Sequence, residues 1–152
     1  MPPRSSFKGT TTFEDARGDA QQSYTFTEEY ADAVHLADDM NRQYGSALTF
    51  TGHSLGGGLA SAAALETRRN AITFNAAGIS PNTATLYGRD LKAPNTNIRS
   101  YYIPGEVLTN VQKNIAGWIR LTRPGTQIPL PVPSGGKFKL HSMDSVLSAM
   151  GL

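Results

Sequence analysis

The 152-residue chain contains no cysteine. That excludes disulfide bridges and thiol chemistry, but it does not fix the compartment. No run of 18 apolar residues occurs, so no helical membrane span is expected. The opening Met1-Pro-Pro-Arg-Ser-Ser-Phe-Lys-Gly9 has no apolar stretch, so no signal peptide is expected there. Neither sign of charge dominates: 14 Lys and Arg against 12 Asp and Glu leave a net +2. The cations are scattered, which argues against a nucleic-acid face and gives at most a slight attraction to an anionic lipid surface. Histidine is scarce, with three in the chain. No repeat or low-complexity segment appears. A chain this long buries about two-thirds of its unfolded surface, and one domain over residues 1–152 is the expectation.

The most informative stretch runs from Thr49 to Ala60, Thr-Phe-Thr-Gly-His-Ser-Leu-Gly-Gly-Gly-Leu-Ala. A short apolar, β-prone run meets Gly52-His53-Ser54-Leu55-Gly56, and a helix of small residues follows at once. This is the context of a nucleophile elbow, a serine on a tight strand-to-helix turn. Such a turn strains its central residue and needs glycine where strand and helix come close. It presents Oγ of Ser54 and aims the Leu55 N–H, with the positive helix end, at any oxyanion formed there. Two other glycine-rich readings fail. A phosphate-binding loop ends in Gly-Lys-Ser/Thr, and no lysine follows Gly58. A dinucleotide fingerprint needs a glycine where Ser61 stands and an acid at the end of the next strand, where Asn75 is found.

Along the rest of the chain, Phe7 to Thr12 reads as a strand end entering a polar loop. Thr25 to Gly45 reads as a helix, with Thr25-x-x-Glu28 as a capping box and Tyr30, Val34, Ala37 and Asn41/Tyr44 on one face. A strand over 48–51, a helix over 55–69 and strands over 71–74 and 98–103 follow. Residues 80–97 read as loop and 107–119 stay ambiguous. The prolines of 127–133 allow only an edge strand. Residues 142–150 read as a terminal helix with Met143, Val146, Leu147 and Met150 as its apolar face. Alternating strands and helices predict an α/β fold, a mostly parallel sheet with helices on both faces, whose reactive groups gather at the carboxyl ends of strands.

A serine hydroxyl needs a histidine base and a carboxylate to orient it. His35 falls mid-helix, as a surface or core residue. His53 adjoins the serine on the strand and is expected to pack against the neighbouring loop. His141 is left, late in the chain and before a helix, which suits the order Ser, acid, His. For the acid, Glu106 follows the strand-end turn Pro104-Gly105, and Asp90 is the alternative. Asp144 is expected to cap the terminal helix. A second oxyanion donor beside Leu55 can come from Thr10. Tyr101, Tyr102, Ile115, Trp118, Ile119 and Leu121 stay open between an apolar lip and plain core, and Trp118 with Arg120 and Arg123 would suit a lipid interface.

Together these residues resemble class 3 lipases and the related bacterial lipase-toxin domains of the α/β-hydrolase superfamily. Phe7-Lys8-Gly9-Thr10 is similar to the family's oxyanion strand end, with Lys8 for an arginine. Gly52 to Gly57 is its elbow, Gly105-Glu106-Val107 stands for its Gly-Asp-x-Val, and His141 for its terminal histidine. The resemblance implies hydrolysis of a lipid ester, phospholipid first and glyceride second, by Ser54, His141 and Glu106 with Thr10 and Leu55 as oxyanion donors. Neither metal nor cofactor is expected. It also implies a membrane surface as a possible partner, and an immunity protein if the domain is an antibacterial effector. A catalytically silent binding module and an acyltransferase are the alternatives. The family's preceding strands lack a counterpart, so the chain is expected to be a fragment or to have its sheet edge completed by a second chain, and to be marginally stable or associating alone. Localisation stays open between export without a signal peptide and the cytoplasm.

Overall fold

The computed structural model describes residues 4–7, 22–80, 97–106, 122–133 and 139–152. Strands β1 (Arg4–Phe7), β2 (Thr49–His53), β3 (Asn70–Phe74), β4 (Ile98–Tyr102) and β5 (Thr126–Pro129) form one sheet. They lie in the order β1-β2-β3-β4-β5, with every neighbouring pair parallel. Helix α1 (Gln22–Tyr44) joins β1 to β2, α2 (Leu55–Thr67) joins β2 to β3, and α3 (Met143–Ala149) follows a 3₁₀ turn at Lys139–His141. This is the expected α/β architecture.

Parallel neighbours need crossover connections, and these are nearly always right-handed. Where strand order follows chain order in one direction, successive right-handed crossovers land on the same face. Accordingly α1 and α2 pack side by side, with Tyr30, Ala33 and Val34 against Leu55, Leu59 and Ala62. Period-2 alternation supplies the sheet's side of this core. Phe50, Ala71 and Ile98 stand in one register row and meet Ala37, Ala60, Ala63 and Ala64. Burying Phe50 or Ile98 fully contributes about 1.5–3 kcal/mol each. The next row, Thr51-Ile72-Arg99-Thr126, lies on the opposite face, where Ile72 is 36% exposed. That face is covered nearer the strand ends, where Phe74, Leu130, Met143 and Ala149 pack on Ile103, Leu140 and Val146.

Helix α2 has no polar stripe because it is enclosed by the sheet and α1, and its residues 55–64 are all buried. Its small side chains let both neighbours approach closely. The Tyr30 hydroxyl sits where a Cβ on Gly58 would otherwise project. Burial pushes the Tyr30 phenol far above its ordinary range.

Several boundaries differ from expectation. Helix α1 begins three residues before Thr25, so Thr25-x-x-Glu28 lies inside it and is not a capping box. Gln22, Ser23 and Tyr24 include no breaker, and glutamine is a good helix former. Helix α2 stops at Thr67 because Arg68 turns left-handed at φ 57° and donates its N–H to the Ala64 carbonyl. The edge strand β5 is shorter than 127–133, since Pro131 and Pro133 carry no N–H for a ladder. In α3 the inward stripe is Met143-Val146-Ala149, at i, i+3 and i+6, with Val146 buried and its two neighbours partly so. Leu147 and Met150 fall off it and are 38% and 42% exposed. Ser142, not Asp144, caps α3, its Oγ accepting from the Ser145 N–H at 3.2 Å. Asp144 stands two positions after the cap, as the second residue of the helix's first turn, where its charge still suits the helix dipole.

Candidate active site

Beyond the carboxyl ends of β2, β3 and β4 stand three buried polar residues, Ser54, Asn75 and Glu106, which converge on His141. Ser54 is the turn between β2 and α2, at φ 57° and ψ −126°. A non-glycine residue with positive φ stores strain of about 1–3 kcal/mol, so the surroundings must hold it. They do so through the main chain. The Ser54 N–H donates to the Phe74 carbonyl at 3.1 Å, and the Ser54 carbonyl accepts from Gly57, Gly58 and Ala77 at 3.0, 3.2 and 2.8 Å. Gly52 explains why the turn can be so tight. A Cβ there would overlap the Gly56 carbonyl, and one on Gly57 would come within 2.7 Å of the Ala76 methyl. Leu55 is the first residue of α2, and the first N–H groups of a helix have no partner within it.

Glu106 reaches the site from a reverse turn. Its N–H donates to the Ile103 carbonyl at 3.3 Å, across Pro104 and a Gly105 with φ 83°. Proline then glycine with positive φ is the signature of a type II turn. His141 closes the 3₁₀ turn, and Leu140 beside it is buried among Ile103 and Val146.

The structure brings Ser54, His141 and Glu106 together. His141 Nε2 is 2.9 Å from Ser54 Oγ, and His141 Nδ1 is 2.7 Å from Glu106 Oε2. The carboxylate only accepts, so Nδ1 carries the proton and Nε2 is left to accept from the serine hydroxyl. That is the tautomer a general base needs. Ser54 is buried and Glu106 fully so, which strengthens each of these interactions.

Three neighbours hold the constellation. Arg123 Nη2 donates to Glu106 Oε1 at 3.1 Å, with only 13% of the arginine side chain exposed, and its guanidinium lies 6.0 Å from the Tyr102 ring centroid. A buried carboxylate is costly unless paired, and here it is paired on both oxygens. His53 Nε2 donates to the His141 carbonyl at 2.6 Å, and the two rings lie 5.0 Å apart. Burial, only partly offset by this bond, lowers the His53 pKa below the ordinary histidine range. Asn75 bridges the Glu106 turn and the His141 loop, accepting from the Ile103 N–H and donating to the Leu140 carbonyl.

Sequence reasoning singled out Ser54, Glu106, His141 and Leu55, which stand in this cluster. His53 packs on the loop of His141, as expected, and His35 is exposed on α1. Thr10 and Asp90 lie outside the described residues, as do Ile115, Trp118, Ile119, Arg120 and Leu121. Arg123 departs from the interfacial expectation: its charge is drawn inward by Glu106. Asn75 and Arg123 were missed as site residues. An asparagine directly after a strand was all that the sequence showed of the first, and that does not mark a site residue. Among the described residues no group of three or more His, Asp or Glu could hold a metal ion, and no helix is long and apolar enough to cross a membrane.

Residues 5–131 match the Tle-like phospholipase domain. The chain is also 37% identical over 115 residues to the extracellular phospholipase A1 of Serratia liquefaciens, an alignment covering 72% of this chain and 36% of that protein. The chain thus spans little more than a third of the length of the curated relative it matches.

Proposed function

The chain belongs to the Tle-like phospholipase domain family, and from that premise we propose that it hydrolyses a carboxylic ester of a phospholipid through an acyl-enzyme on Ser54. His141 Nε2 takes the Ser54 proton as Oγ attacks the ester carbonyl. Glu106 holds the imidazole in the required tautomer and stabilises the imidazolium. The Leu55 N–H, at the positive end of α2, receives the oxyanion, with Thr10 as the second donor. The tetrahedral intermediate collapses as His141 returns the proton to the leaving alcohol, a lysophospholipid. Water, deprotonated by His141, then attacks the acyl-serine carbonyl, and His141 passes that proton to Ser54 Oγ as the acyl–oxygen bond breaks and the fatty acid leaves. A positioned general base contributes about 10²–10⁴-fold, and each oxyanion donor about 10²–10³.

The observation that carries this reading is the unbroken hydrogen-bonded chain from Ser54 through His141 to Glu106. Phospholipid is preferred to glyceride because both the family description and the relative's name are phospholipase. The relative is named extracellular, which supports action of this domain outside the cell that makes it. The reading is tested on phospholipid vesicles, with products identified by mass spectrometry. Fatty acid and lysophospholipid in equal amounts are expected from the wild type and none above background from Ser54→Ala. Equal product from both proteins would refute it.

A further inference from the structure

Asn75 stands at the end of β3, between the strand ends that lead to Ser54 and Glu106. It is fully buried. Its backbone φ is 41°, a left-handed conformation that asparagine tolerates better than most residues. The carboxamide faces two directions at once. Oδ1 accepts from the Ile103 N–H at 2.9 Å. Nδ2 donates to the Leu140 carbonyl at 3.1 Å, with the His141 carbonyl at 3.4 Å. The assignment of oxygen and nitrogen is not arbitrary: a backbone N–H can only donate and a carbonyl can only accept. Flipping the amide would set like groups against each other on both sides.

These partners are the anchors of two site loops. Ile103 opens the turn that ends in Glu106, and its carbonyl receives the Glu106 N–H. Leu140 and His141 form the loop that carries the base. No hydrogen bond between the two loops' backbones is needed, because one side chain ties both. Glu106 and His141 come from segments 35 positions apart, and besides their own contact and the shared core of Ile103 and Leu140, the Asn75 carboxamide ties the two backbones. The His141 carbonyl is held from the other side by His53, so the base is fixed by donors from both β2 and β3.

We propose that Asn75 is a positioning residue: its carboxamide sets the separation of the Glu106 turn and the His141 loop, and so brings the carboxylate and the imidazole into register. This rests on the functional reading given above for those two residues, but its geometry can be examined without substrate. Asn75 touches no reacting atom. It acts through the backbone of the residues that do. Neither a serine nor an acid at this position would do the same work. A serine would reach one loop but not both, and a carboxylate would have no proton for the two carbonyls.

The test uses Asn75→Gly and Asn75→Asp in the full chain. Glycine accepts the positive φ and lacks the amide. Aspartate keeps the shape and the acceptor for the Ile103 N–H and lacks the donor. Both are measured for kcat and KM on phospholipid vesicles and by proton NMR for the downfield His141 Nδ1–H shared with Glu106. A displacement of ~1 Å costs about 10²-fold in rate. In both variants kcat is expected to fall by about that factor with KM unchanged, and the downfield proton to broaden or vanish. A folded Asn75→Gly with wild-type kcat and an unaltered downfield proton overturns the proposal. Should neither variant fold, the side-chain amide protons of Asn75 in the wild type decide: slow solvent exchange supports the brace, and exchange as fast as at a surface asparagine overturns it. If the wild type cleaves no lipid ester, yet its downfield proton is present and is lost in Asn75→Gly, the esterase reading fails while the positioning role stands.

Discussion

His141 Nε2 lies 2.9 Å from Ser54 Oγ although 87 positions separate the two residues. Nothing local brings them together. Ser54 is placed by the bend between β2 and α2, and His141 by a turn wedged on Leu140 against the core of Ile103 and Val146. The site is therefore a product of sheet order and depends on contacts remote from the reacting atoms.

Arg123 is expected to matter through Glu106. Removing one partner of a buried ion pair leaves an uncompensated charge and costs on the order of 3 kcal/mol. Arg123→Met should lower the urea midpoint accordingly and reduce kcat, because the carboxylate can then rotate away from the His141 Nδ1–H. Arg123→Lys should retain part of both, since an ammonium supplies charge without the planar fork. Equal stability of wild type and Arg123→Met in urea melts would show that the pair is not needed.

His53 makes stability depend on pH. Its folded pKa lies below the ordinary value, about 6.5 in an unfolded chain. As pH falls, the unfolded chain takes up this proton before the folded one does. The His53 contribution is thus intact above about pH 6.5 and is lost progressively below it. Urea melts between pH 7.5 and pH 5 should show wild-type stability declining more steeply than that of His53→Gln. Parallel slopes for the two proteins would contradict this.

Gly52 has no room for a methyl group, because the obstacle is the main-chain carbonyl of Gly56 and not a movable side chain. Overpacking of this kind costs on the order of 3 kcal/mol. Gly52→Ala is expected to lower the melting temperature and to cut kcat by about 10²-fold as the elbow shifts. A calorimetric melt and turnover both matching wild type would remove the steric explanation of this glycine.

The parts of the fold legible in the sequence were those written locally. The elbow announces itself because a strand, a glycine-flanked serine and a small-residue helix occur in order. The Pro104-Gly105 turn marks where β4 ends and places a carboxylate beyond it. Boundaries were less legible: nothing in the composition of 22–24 halts α1, and Arg68 ends α2 in a conformation that glycine would have signalled. Asn75 and Arg123 were not legible at all as site residues, because their partners are brought near only by the parallel register of β3, β4 and β5. A sequence shows an asparagine after a strand, but not the two loops it joins. The face of α3 was misjudged for a related reason, since a seven-residue helix buries one narrow stripe and leaves Leu147 and Met150 outside it.

Labelling with a fluorophosphonate reads the central claim most directly, because phosphonylation requires a serine activated by its base. After digestion, peptide mass spectrometry should find the adduct on Ser54 in the wild type, and none in a folded His141→Gln. An unlabelled Ser54 in active wild-type protein, or equal labelling with and without the imidazole, would contradict the account.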